Sequence, residues 1–226
     1  MRIAGLQKMT LLDFPGRVAA TVFLPGCNFR CPFCHNSPLL RGTDELSEDS
    51  FFAYLKKRTG LLDGVAVTGG EPTLQPDLED FLSKIKSLGF GVKLDTNGSQ
   101  PQYLEKLLQK GLIDYIAMDI KNSPEKYERT SGATGILPSV RESIELIRSC
   151  GVEYEFRTTV VAELHEDKDF HAMGQWLRGA KAYFLQCFQD SGDILCPGLH
   201  APSEADLERY LAIAGSYIPN THLRGI

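Results

Sequence analysis

The chain has 226 residues, 42% of them hydrophobic, and a formal net charge of -5. That length and apolar fraction predict one globular domain over 1–226, and the acidic balance excludes broad binding to a nucleic acid backbone, which needs a basic excess to displace counterions. The opening stretch MRIAGLQKMTLLDFPG has no apolar run suited to a secretory signal or membrane span, so a cytoplasmic protein is expected, and in that reducing compartment its six cysteines point to a metal or redox site.

Strand-like runs alternate with helix-period segments along the whole chain. The first predicted strand, VAATVFL at 18–24, leads into a loop with three cysteines; a helix over 47–58 follows, then VAVT at 65–68 and the turn GGEPT at 69–73. The helix over 76–89 is the clearest: Pro76 suits its first position, Leu78, Phe81, Leu82, Ile85 and Leu88 share one face, and Gly89 can end it. GVKLDT at 91–96 runs into DTNG, a helix is predicted over 102–110, and YIAMDI at 115–120 runs into DIK. A helix over 139–149, the strand YEFRTTVV at 154–161 with Arg157 inside it, a helix over 168–177, the strand AYFLQC at 182–187 and a helix over 203–213 complete the series.

Six βα repeats predict a parallel α/β sheet curled into a partial (β/α)6 barrel, too short to close as an eight-stranded one. In such sheets function gathers beyond the C-terminal ends of the strands. The unusual polar residues fall there.

Cys27, Cys31 and Cys34 have the spacing C-x3-C-x2-C. Cubane iron–sulfur clusters usually take four thiolates, so three would leave one iron open for other chemistry. Zinc held with His35, or a set of redox thiols, are the alternatives; the zinc set is awkward because Cys34 and His35 are adjacent. GGEP is by itself an ordinary turn after a strand, in which two glycines admit a close approach and Glu71 offers a charge to an ammonium group.

The segment CNFRCPFC, with Phe33 just before the last cysteine, resembles the cluster motif of the radical S-adenosylmethionine (SAM) enzymes, and GGEP one βα unit later is similar to that family's glycine-rich segment. Within the family, LQKMTLLDFPGRVAATVFLPGCNFRCPFCHN at 6–36 resembles the activating proteins of glycyl-radical enzymes, most closely those of anaerobic ribonucleoside-triphosphate reductases and next those of pyruvate formate-lyase. The likeness continues through TGGEPTLQ, DTNG and MDIK.

The resemblance implies a partial (β/α)6 barrel carrying one [4Fe–4S] cluster on Cys27, Cys31 and Cys34, with SAM chelating the open iron. Phe33, Cys34 and His35 would lie around the adenine, and Gly69, Gly70 and Glu71 at the methionine end. Asp119 and Lys121 match a D-x-K motif that contacts SAM, a surface ion pair being the plain alternative. Asp95, Thr96 and Asn97 are expected to bind the ribose or a monovalent cation beside the SAM carboxylate, or only to form a turn. Arg157 would balance that carboxylate or the partner's backbone, or else snorkel from a buried strand.

The implied activity is oxidoreductive: a 5'-deoxyadenosyl radical takes a hydrogen atom from a glycine of a partner glycyl-radical enzyme, with a flavodoxin- or ferredoxin-type electron donor. A radical SAM enzyme acting on a small molecule and a zinc-binding interaction module are the rival readings. Pyruvate formate-lyase activases place a histidine near the last strand where this chain has LQCFQDSGD, so Gln186 or Gln189 would have to substitute. Cys150, before Gly151, reads as a small buried hydrophobe, and Cys187 with Cys196 are too few for a second cluster. His165, His171, His200 and His222 share no spacing and read as packed or solvated.

Overall fold

The computed structural model describes residues 1–41, 46–190 and 192–225. Six parallel strands occur where the sequence predicts them: β2 (Ala19–Leu24), β3 (Gly64–Gly69), β4 (Gly91–Thr96), β5 (Tyr115–Asp119), β6 (Glu153–Val160) and β7 (Tyr183–Cys187). Two further strands extend this set. β1 (Gly5–Thr10) pairs antiparallel with β2, and β8 (Thr221–Arg224) pairs parallel with β7. The result is one eight-stranded sheet whose spatial order equals its chain order, with β1 and β8 as unpaired edges, so the curl stays open.

Period-two alternation gives the sheet two unlike faces. Val22, Val65, Val67, Val92, Leu94, Ile116, Met118 and Phe156 are fully buried beneath the helices and form the main core with their apolar stripes. The intervening residues, among them Thr21, Phe23, Asp95, Asp119, Arg157 and Thr159, face the inside of the curl and line a cavity there. The apolar core therefore lies outside the barrel wall and the polar chemistry inside it.

The helices are α1 (Glu48–Lys56), α2 (Leu78–Ser87), α3 (Pro101–Gln109), α4 (Tyr127–Ser131), α5 (Leu137–Ser149), α6 (Asp167–Trp176) and α7 (Glu204–Gly215). In α2 the stripe Leu78, Phe81, Leu82 and Ile85 is fully buried, and Gly89, at φ +86°, ends the helix by donating its N–H to the Lys86 carbonyl at 2.9 Å. Pro76 corrects the expectation: it precedes the helix, in the turn after a short 3-10 segment at Pro72–Leu74, and Asp77 takes the cap position. At α3 a proline, Pro101, does occupy the first turn.

Phe14, in the loop between β1 and β2, is 1% exposed and lies 6.1 Å from the Tyr115 ring, with the Arg17 guanidinium 4.8 Å from its centroid. Gly64 makes this possible, since a Cβ there would come within 2.8 Å of the ring. On the inner face Glu155, 1% exposed, accepts from the Tyr115 hydroxyl and from Arg224, each at 3.0 Å, tying β5, β6 and β8 together. Among the described residues no helix is long and apolar enough to cross a membrane.

Candidate functional site

The loop that follows β2 is held by backbone from the end of β3 and from α4. Gly70 donates to the Leu24 carbonyl at 2.9 Å and Glu71 to the Gly26 carbonyl at 2.8 Å, so the end of β3 lies directly against the base of the cysteine loop. A Cβ on Gly70 would overlap the Gly26 carbonyl, and Gly69, at φ +119°, presses on Leu24 backbone. The glycines expected to admit a ligand are thus required first by the cysteine loop itself.

On the other side, α4 ends at Gly132 with φ +65°. Its last residue, Ser131, offers a carbonyl that accepts the Arg30 N–H at 2.8 Å and the Cys31 thiol at 3.7 Å. The Cys27 sulfur accepts the Phe29 N–H at 3.4 Å and the Asn97 amide at 3.8 Å. Burial pushes both thiols up, Cys31 to about 12, and pushes His35 down. Such thiols hold their protons at neutral pH, so a metal centre must displace those protons to bind.

Cys27, Cys31 and Cys34 border a cavity of about 310 Å³ inside the strand rim, together with Phe33, His35, Gly69, Gly70, Asp95, Thr96, Asn97, Asp119, Lys121 and Arg157. Within it Asp119 accepts from Lys121 Nζ at 3.0 Å and Arg157 Nε at 2.9 Å, Arg157 Nη1 reaches Asp95 at 3.2 Å, and Lys93 pairs with Asp95 from the same strand. Burial alone would raise both carboxyls. The Arg157 guanidinium, with Lys93 beside Asp95 and Lys121 beside Asp119, overrides it and holds each below the usual carboxylate range. Three cations and two carboxylates make up this network, and a third carboxylate, Asp13, lines the same cavity; Lys121 and Arg157 are the cationic side chains of the lining that can bond a ligand's carboxylate.

Glu71 is the predicted site residue that does not reach this cavity. Its side chain is fully buried and accepts the Thr73 N–H at 3.0 Å, the Thr73 hydroxyl at 2.6 Å, the Thr96 hydroxyl at 2.8 Å and the Asn97 N–H at 2.6 Å. Burial pushes its carboxyl upward, and these donors offset that in part. These bonds brace the ends of β3 and β4, and burial keeps the carboxylate out of the cavity.

Lys93, Asn36 and Thr159 belong to the site and escaped the sequence reading. Lys93 was within reach of it, because a residue two before Asp95 on the same strand must share its face. Asn36 donates to the Gly69 carbonyl at 3.3 Å. Gln186 lines the cavity, whereas Gln189 is exposed and donates to the Gly225 carbonyl at 3.3 Å. His165 is buried, His171, His200 and His222 are solvent-facing, and Cys150 is half-buried at the end of α5, packed against the core.

The described cysteines are free thiols, and among the described residues no three His, Cys, Asp or Glu side chains gather tightly enough for a single metal ion. A mononuclear zinc site needs that convergence; a cubane cluster does not, since each thiolate binds a different iron. Three thiols on one loop at the wall of a polar cavity fit such a cluster.

The family model of the Radical SAM superfamily matches residues 21–177. A protein of Methanocaldococcus jannaschii named as a glycyl-radical enzyme activating enzyme is 32% identical over 238 residues, covering 99% of this chain and 96% of the other. The pyruvate formate-lyase-activating enzyme of Clostridium pasteurianum is 29% identical over 175 residues, covering 74% of this chain and 72% of its own. In fold, the chain is similar to Streptococcus suis SuiB bound to S-adenosylmethionine, with a TM-score of 0.70 at 15% identity over 91% of this chain and 52% of that one.

Proposed function

The chain belongs to the radical SAM superfamily, and we propose that it activates a glycyl-radical enzyme, with anaerobic ribonucleoside-triphosphate reductase as the partner. The observation that carries this reading is the convergence of three thiols and an ion-paired rim on one cavity, in a chain similar over nearly its whole length to a protein named as such an activase.

In this reading Cys27, Cys31 and Cys34 hold a [4Fe–4S] cluster. With the cluster and SAM bound, they would supply the chemistry, a one-electron reductive cleavage of the sulfonium that would yield methionine and a 5'-deoxyadenosyl radical able to take a hydrogen atom from a glycine Cα of the partner. The chain's own residues orient and shield that event. Arg157 and Lys121 offer donors to the SAM carboxylate, and Asp119 holds both side chains at the cavity wall. Gly69 and Gly70 keep the end of β3 flush with the cysteine loop, and Asn97, just after β4 on the same rim, bonds the Cys27 sulfur. Phe33 and His35 form the wall nearest the adenine. A monovalent cation at Asp95 would have to compete with Lys93 and Arg157, which already match that carboxylate. The reading requires a reducing cytoplasm and an electron donor of the flavodoxin or ferredoxin type.

The test is anaerobic reconstitution with iron and sulfide, reduction, and addition of SAM, beside a variant with Cys27, Cys31 and Cys34 all changed to Ala. Reductant-dependent 5'-deoxyadenosine that vanishes in the variant is expected. Adding the anaerobic reductase should then give a glycyl radical by electron paramagnetic resonance. SAM cleavage without any glycyl radical would transfer the activity to another substrate class, and no cleavage by a fully loaded protein would overturn the enzyme reading.

A further inference from the structure

The last backbone bond between β5 and β6 runs from the Ile120 N–H to the Arg157 carbonyl at 2.7 Å. One residue later the chain must leave the sheet, and Lys121 is the residue that must still aim its ammonium back at Asp119. Something has to fix the direction of that exit.

His165 lies there. It is 3% exposed, and its ring spans the gap between the two strand ends: the Val161 N–H donates to Nδ1 at 3.1 Å, and Nε2 lies 3.1 Å from the Lys121 carbonyl. A backbone N–H can only donate, so Nδ1 is the acceptor and the ring proton sits on Nε2, pointing at that carbonyl. Burial holds the ring neutral, in keeping with this tautomer. One residue further on, the Asn122 amide donates to the Leu164 carbonyl and to the Thr130 hydroxyl, each at 3.0 Å. Thr130 belongs to α4, whose last carbonyl receives Arg30 and Cys31, so the exit from β5 is continuous with the brace of the cysteine loop.

The geometry points to His165 as a positioning residue: its imidazole replaces the missing rung between β5 and β6, and so fixes where the Lys121 ammonium sits in the cavity. It touches neither ligand nor cavity and acts only through Lys121. The inference rests on the reading of the cavity as a SAM site, because it assigns Lys121 a share of SAM binding.

The experiment uses the reconstituted holoenzyme and compares wild type with His165→Phe, His165→Gln, Lys121→Met and the double variant of Phe at 165 with Met at 121. KM for SAM and kcat for 5'-deoxyadenosine formation are measured beside iron content. Loss of one fixed hydrogen bond should raise KM about five- to tenfold in H165F with kcat within about twofold and iron unchanged. H165Q, which keeps an amide donor, should recover most of the loss. In the K121M background H165F should add less than about twofold, since the group it positions is gone. An unchanged KM in H165F, or an equal effect with and without Lys121, overturns the inference. A parallel fall in kcat and iron overturns it too, as the mark of a merely structural residue. If H165F does not fold, H165N, too short to span from Val161 to Lys121, takes its place in the same cycle. A wild-type protein that does not cleave SAM overturns the SAM-site reading instead, which these other outcomes leave intact.

Discussion

At the scale of single residues, the acidic side chains of the rim have opposite duties and should respond oppositely to change. Glu71 uses both oxygens as acceptors for four donors in a fully buried place. Glu71→Gln turns one oxygen into a donor facing other donors, and should cost about 1–3 kcal/mol in urea unfolding at neutral pH. Asp95 and Asp119 have folded-state values below their unfolded value of 3.8. Their contribution is complete above that pH and is lost as pH falls through the window beneath it; Glu71, raised above its unfolded value of 4.5, contributes in the opposite sense. The expected outcome is a midpoint of thermal unfolding of the metal-free protein that drops below about pH 4. Asp119→Asn should flatten that drop, and an unaltered slope would contradict the ion-pair account.

At the scale of elements, two glycines separate close approach from mere backbone strain. Gly132 and Gly135 have nearly the same φ, +65° and +67°, but a Cβ on Gly132 would meet the Arg30 carbonyl at 2.6 Å, whereas one on Gly135 would meet nothing within 4 Å. Gly135→Ala should therefore cost about 1 kcal/mol and leave iron loading intact. Gly132→Ala should lower the iron bound per chain after reconstitution while the circular dichroism spectrum stays that of the wild type. Much of this level was legible beforehand, because β2 to β7 are short apolar or β-branched runs and the longer helices carry a period of 3.6. β1 was not: GLQKMT lacks a run of apolar residues and owes its place to pairing with β2. β8 and α4 have only four and five residues, too few for any period to show. In the site, cysteines, aspartates, Lys121 and Arg157 announced themselves by type and by their position at strand ends. The true partners of Glu71 did not, because Thr73, Thr96 and Asn97 meet it only after β3 and β4 are side by side.

At the scale of the whole molecule, the sheet places its oily face outward beneath the helices and a charged face inward, so the barrel interior stands or falls with the matching of its charges. Glu155 is 1% exposed and its cationic partner Arg224 comes from the last strand. Arg224→Met should strand a buried carboxylate and cost about 3 kcal/mol in chemical denaturation; adding Glu155→Gln should return a good part of it, because the uncompensated charge goes with it. Additive losses in the double variant would mean that the two side chains act independently.

Strand order equal to chain order also has a bearing on how the protein is made. Each new strand can dock on the one synthesised just before it, so the wall grows in the direction of translation. The thiols at 27, 31 and 34 leave the ribosome early, yet the Ser131 carbonyl that receives Cys31 lies 100 residues later in the chain. Throughout that interval the nascent chain carries its cysteines on an unbraced loop, open to oxygen and stray metals. Delivery of iron and sulfide is best timed for after Ser131 has emerged, when the cradle that shields them exists.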